Sequence, residues 1–94
     1  MTTSKRILIV DDDPNSLLLL KTILTKSGFN VLALSDGKEA IKAVDEADAP
    51  RMIICDWMMP SVDGLEVLKH VRQKKESDYT YFILLTAKVQ AEDL

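Results

Sequence analysis

The sequence predicts an α/β domain built on a single parallel sheet with helices wound over both faces. Three observations carry this expectation: short runs rich in β-branched residues, longer stretches with apolar residues at helical spacing, and regular alternation of the two along the chain. Parallel strands cannot be joined by tight hairpins, so each connection must cross the sheet as a helix.

The first strand is RILIV, Arg6 to Val10, a continuous apolar run of the kind buried on both faces, and it stops at DDD. Asp13-Pro14 then opens a helix, with Asp13 as cap and Pro14 at the first helical position, where its missing N–H costs nothing. Leu17, Leu18, Leu20, Ile23 and Leu24 recur at helical spacing, and Gly28 supplies a left-handed stop. FNVLAL, Phe29 to Leu34, is the second strand. In DGKEA, Asp36 is placed to cap a second helix, with Glu39 reaching back from the third helical position and Ala40, Ile41 and Val44 facing inward. Ala49-Pro50 closes that segment, and MIIC, Met52 to Cys55, is the third strand. Leu65, Val67, Leu68 and Val71 mark a third helix after Gly64, and YFILL, Tyr81 to Leu85, is the fourth strand.

With 94 residues, the chain is read as one domain over 1–94, without internal repeats or linkers. Its 47% hydrophobic and 29% charged residues are the balance of a soluble globular protein and exclude a disordered tail. No apolar run approaches the roughly 20 residues of a membrane span, and the apolar stretch near the N-terminus is too short for a signal peptide. A cytoplasmic protein without membrane contact is expected. The net charge of −3 is not broken by any basic cluster, so direct nucleic-acid binding is not expected. Cys55 is the single cysteine; it cannot form an internal disulfide and reads as a small buried hydrophobe.

The chemistry lies at the strand ends. In a doubly wound sheet the first and third strands are neighbours at the point where the winding direction reverses, and their carboxyl ends share a crevice. Asp11 and Asp12 follow the first strand and Asp56 ends the third, so three acids from distant parts of the chain converge there. Carboxylates held this close raise one another's pKa or take up a cation, and a small set of oxygen ligands with room for water suits Mg²⁺. Thr86, at the end of the fourth strand, adds a hydroxyl at the same rim, and the backbone N–H groups at Ala87 and just beyond it can serve an anion. The duller readings are a capping role for Asp13, a loop anchor for Trp57, packing for Met58 and Met59, and a surface position for His70 on LKHVRQKK.

ILIVDDD, IICDWMMPSVDG and FILLTA, in this order and spacing, resemble the receiver domain of bacterial two-component response regulators. The resemblance implies a flavodoxin-like sheet and a phosphorylation switch. Asp56 would accept a phosphoryl group from the phosphohistidine of a histidine kinase or a histidine phosphotransfer protein, with Mg²⁺ bound and Mn²⁺ as an alternative ion. It further implies Asp12 as a direct metal ligand, Asp11 acting largely through water, and the backbone carbonyl of Met58 completing the protein ligands. Thr86 and Ala87 would hold the phosphoryl oxygens, while Pro60 and Gly64 match the turn that positions the loop after Asp56. Receiver domains continue with a fifth strand, which carries a phosphate-pairing lysine, and a last helix. This sequence ends at Leu94, so a fold truncated after the fourth strand is expected, and Lys88, only two residues after Thr86, is not that lysine. YFILL is then expected as an exposed edge open to self-association, with any effector domain lying beyond Leu94.

Two other functions compete. A phosphorylation-silent module of the same fold would serve only as a docking or oligomerisation surface. A phosphatase resembling the haloacid dehalogenases would use Asp11 and Asp13 as nucleophile and acid/base, but that family has Thr or Val two residues further on, where this chain has Asn15.

Overall fold

The computed structural model describes residues 5–74 and 79–85. Within them the expected alternation is present: β1 (Arg6–Val10), α1 (Pro14–Lys26), β2 (Asn30–Leu34), α2 (Gly37–Val44), β3 (Met52–Asp56), α3 (Gly64–Gln73) and β4 (Tyr81–Leu85). The strands form one parallel sheet in the order β2-β1-β3-β4. The chain therefore steps outward from β1 to β2 and then returns past β1 to β3, and this reversal opens a crevice at the carboxyl ends of β1 and β3.

The helix ends follow from local chemistry. Asp13 caps α1 by accepting from the Ser16 backbone N–H at 3.1 Å and the Ser16 hydroxyl at 2.6 Å. At the other end the Phe29 N–H donates to the Leu24 carbonyl and the Gly28 N–H to the Thr25 carbonyl, with Gly28 at φ 96°. That pair of bonds around a left-handed glycine is a Schellman stop. Asp36 caps α2 by accepting from the Glu39 N–H at 2.8 Å; the full reciprocal capping box forms instead at α3, between Asp63 and Glu66.

Alternation along the strands sends Leu8, Val10, Ile53, Cys55 and Phe82 to one face of the sheet. There they meet Ala40 and Val44 of α2 and Val67 and Val71 of α3 in the main core. The opposite face, with Ile7 and Ile9 fully buried, carries α1. The five apolar positions that recur at helical spacing along α1 do not share one environment. Leu17, Leu20 and Leu24 are half-buried, but Leu18 and Ile23 are exposed, and α1 has no fully buried residue. Along β4, Tyr81, Ile83 and Leu85 are exposed and Phe82 and Leu84 half-buried, and among the described residues β4 is an edge strand.

The two faces therefore differ in sensitivity to truncation. Leu8→Ala should lower the unfolding free energy by about 2–5 kcal/mol in urea titrations, whereas Leu18→Ala, at a position 64% exposed, should stay within about 0.5 kcal/mol of the parent.

Candidate functional site

Register brings the acids together. Val10 pairs with Cys55 across β1 and β3, so the next residues, Asp11 and Asp56, emerge side by side at the crevice. Carboxylate oxygens of Asp11, Asp12 and Asp56 lie within 4.8 Å of one another. Asp11 is 7% exposed and Asp56 4%, while Asp12 opens to solvent.

Each acid of the DDD run has a separate job. The Asp11 N–H donates to the Leu34 carbonyl at 3.2 Å, which ties the end of β1 to β2. Its carboxylate accepts from the Asp13 N–H at 2.9 Å, a local turn that holds the side chain back over the crevice. Asp12 is exposed to solvent while its carboxylate stays with the other two of the cluster, and Asp13 is consumed by capping α1.

Asp56 is held by the strand itself. It pairs with Leu85, so β3 extends one residue beyond the Met52–Cys55 read from sequence, and the Trp57 N–H continues the ladder to the Leu85 carbonyl at 3.0 Å. The chain then loops from Trp57 to Asp63. Trp57 is half-buried, Met58 is 69% exposed, and Met59 turns into the core at 8%. Pro60 precedes Ser61 at φ 66°, the placement of proline and left-handed residue that a type II turn uses. The loop closes where the Gly64 N–H donates to the Trp57 carbonyl at 2.9 Å. A Cβ on Gly64 would sit 2.4 Å from the Asp56 carbonyl oxygen, so only glycine lets α3 start this close to the end of β3.

The donor set is oxygen only, partly buried and open on one side through Asp12. This fits a hard cation such as Mg²⁺, which takes one or two carboxylates and retains water. Beneath the site, the buried thiol of Cys55 is pushed up to about 12, first by desolvation and then by the carboxylates of Asp56, Asp11 and Asp63. It is an inert core group rather than a nucleophile. His70 stands away from the acids; its Nε2 lies 2.9 Å from Asp45 Oδ1 at the end of α2. Thr86, Ala87 and Lys88 lie outside the described residues.

Two features of the loop escaped the sequence reading. The Asp63–Glu66 capping box was visible in the spacing of those two acids, but the left-handed backbone at Ser61 had no marker, because serine carries no special preference for that region.

The family model of the response regulator receiver domain matches residues 7–94. The alkaline phosphatase synthesis transcriptional regulatory protein PhoP of Bacillus subtilis is 41% identical over 90 residues, covering 96% of this chain and 36% of that protein. Among solved structures, response regulator TrrA of Thermotoga maritima in complex with Mg²⁺-BeF aligns with a TM-score of 0.79 at 42% identity, over 89% of this chain and 70% of that one. The complex of histidine kinase ThkA with TrrA aligns at 0.77 and 39% identity, over 93% of this chain and 72% of the matched chain. The chain spans about a third of the length of the curated relatives it matches.

Relief of the left-handed strain makes Ser61→Gly stabilising by about 1 kcal/mol, measured by urea denaturation. For Cys55 the sign follows from linkage. The unfolded thiol ionises near 9.0 and the folded one near 12, so the unfolded state alone loses its proton between these values and stability falls as pH rises through that window. Between pH 8 and pH 10 the parent should lose about 1 kcal/mol more than Cys55→Ala.

Proposed function

The chain belongs to the response regulator receiver domain family, and from that footing we propose that it is a phosphorylation switch whose acceptor is the Asp56 carboxylate. The observation that carries this reading is the convergence of Asp11, Asp12 and Asp56 at the paired ends of β1 and β3, within 4.8 Å of one another. In this reading Asp12 is a direct ligand of Mg²⁺, Asp11 acts largely through water, and Asp56 and the exposed Met58 position, through its backbone carbonyl, complete the protein ligands. The metal, when bound, supplies positive charge that offsets repulsion between the acids and an incoming phosphoryl group.

The transfer itself is simple. A carboxylate oxygen of Asp56 forms a bond to phosphorus as the N–P bond of the donor phosphohistidine breaks, and that electron pair stays on the imidazole nitrogen. The aspartyl phosphate adds negative charge and acceptor oxygens at the rim. Thr86 and Ala87, assigned by resemblance, would take those oxygens and move the segment after β4. The chain is thus a signalling phosphoacceptor rather than a turnover enzyme. A histidine kinase is the proposed partner, which suits the likeness to TrrA in its complex with ThkA. The relatives named as transcriptional regulators support an output carried by other parts of a longer protein acting in the cytoplasm. Among the described residues, no helix is long and apolar enough to cross a membrane.

Incubation with Mg²⁺ and acetyl phosphate, followed by intact-mass spectrometry, tests the assignment. The parent should gain one phosphoryl mass and Asp56→Ala none. Retention of the label in Asp56→Ala would move the nucleophile to Asp11, and no label on a folded parent would leave a silent docking module.

A further inference from the structure

The start of α2 is pressed against the loop that follows Asp56, and the two segments meet at one residue. A Cβ on Gly37 would lie 2.3 Å from the Val62 carbonyl oxygen, 2.8 Å from Val62 Cγ1 and 2.9 Å from Val62 Cβ. Gly37 does not adopt a left-handed backbone, so glycine is needed here for space and not for conformation. The helix is fixed independently of this contact, because Asp36 caps it and Ala40 and Val44 seat it in the core. Opposite, Met59 anchors the loop in the same core and the Gly64 N–H closes it onto Trp57. Gly37 and Val62 are therefore where two separately anchored segments set each other's distance.

That distance matters because a cleft of about 240 Å³ lies between them, with Asp12, Ser35, Gly37, Pro60, Ser61 and Val62 among its walls. Asp12 thus faces a space whose width is set by the approach of α2 to the loop. The same loop carries the Met58 carbonyl. We infer that Gly37 is a positioning residue for the acidic site: by admitting the Val62 carbonyl where any side chain would stand, it holds the 57–63 loop at the spacing from Asp12 that cation binding requires. This rests on the receiver reading given above, and it adds a residue outside the three motifs that carry that reading.

The test is a Mg²⁺ titration followed by the fluorescence of Trp57, the single tryptophan, beside Asp56 in the chain. Gly37→Ala pushes the loop away, and Val62→Gly slackens it while leaving Gly37 in place. Each should weaken Mg²⁺ binding by about tenfold or more, the scale on which residues behind metal ligands act. Ile41→Val, on α2 but directed into the core, should lower stability in urea and leave Mg²⁺ affinity unchanged. Parent-like affinity in folded Gly37→Ala and Val62→Gly overturns the inference, as does an affinity loss in Ile41→Val that matches theirs. Should Gly37→Ala fail to fold, Val62→Gly decides alone. A parent that binds no Mg²⁺ sinks the phosphoacceptor reading proposed above and this inference with it, an outcome distinct from a parent that binds and variants that bind equally well.

Discussion

The parallel pairing of β1 with β3 is the constraint from which the site follows. Residues far apart in sequence, Val10 and Cys55, are brought into register, and the next residue of each strand is an aspartate. Burial enforces the pairing. Ile7, Leu8, Ile9, Ile53 and Cys55 are almost completely hidden, and a slip of one residue would turn each strand's side chains to the opposite face. The hydrophobic core thus determines where two charged groups stand. No contact between the acids is needed to bring them together, and their mutual repulsion works against it.

This arrangement sets folding against electrostatics at one end of the sheet. Asp11 and Asp56 are nearly buried, so core packing holds two carboxyl groups close together and away from water. One partner is supplied locally, since the Asp13 N–H donates to the Asp11 carboxylate. A cation that binds the folded chain and not the unfolded one would add stability by mass action. A site shaped by core packing and opposed by its own charge is therefore well suited to respond to charge, whether from a metal or from a phosphoryl group. Cys55 registers the same field from below: its thiol is held protonated by burial and by the acids above it.

The sequence made the strands and the acidic cluster legible because both depend on simple periods. Apolar runs located the end of β1, and that of β3 to within one residue, and the winding rule made those ends neighbours. The face of α1 was not legible. Its run LLLLKTIL offers apolar side chains in nearly every direction, so spacing alone could not tell that Leu18 and Ile23 would be exposed while Leu17, Leu20 and Leu24 would be half-buried. Ser61 and Gly37 were hidden for a different reason. Their demands come from a turn and from a close approach across the fold, neither of which leaves a pattern in neighbouring residues.

The two glycines flanking the site show how geometry is transmitted without side-chain bonds. At Gly64 the Asp56 carbonyl oxygen lies 2.4 Å from where a Cβ would stand, and at Gly37 the Val62 carbonyl oxygen lies 2.3 Å from it, each too close to admit one. Carbonyls next to these positions are thereby fixed by steric contact with rigid helix starts rather than by flexible side chains. Backbone fixed in this way loses little freedom when a ligand arrives, so less binding energy is spent on ordering it. Between these contacts the chain from Trp57 to Asp63 presents the exposed Met58 while burying Met59. A backbone carbonyl in such a loop is held by the fold whatever side chain accompanies it, so the side chain at Met58 is left free of any packing role while that at Met59 fills the core.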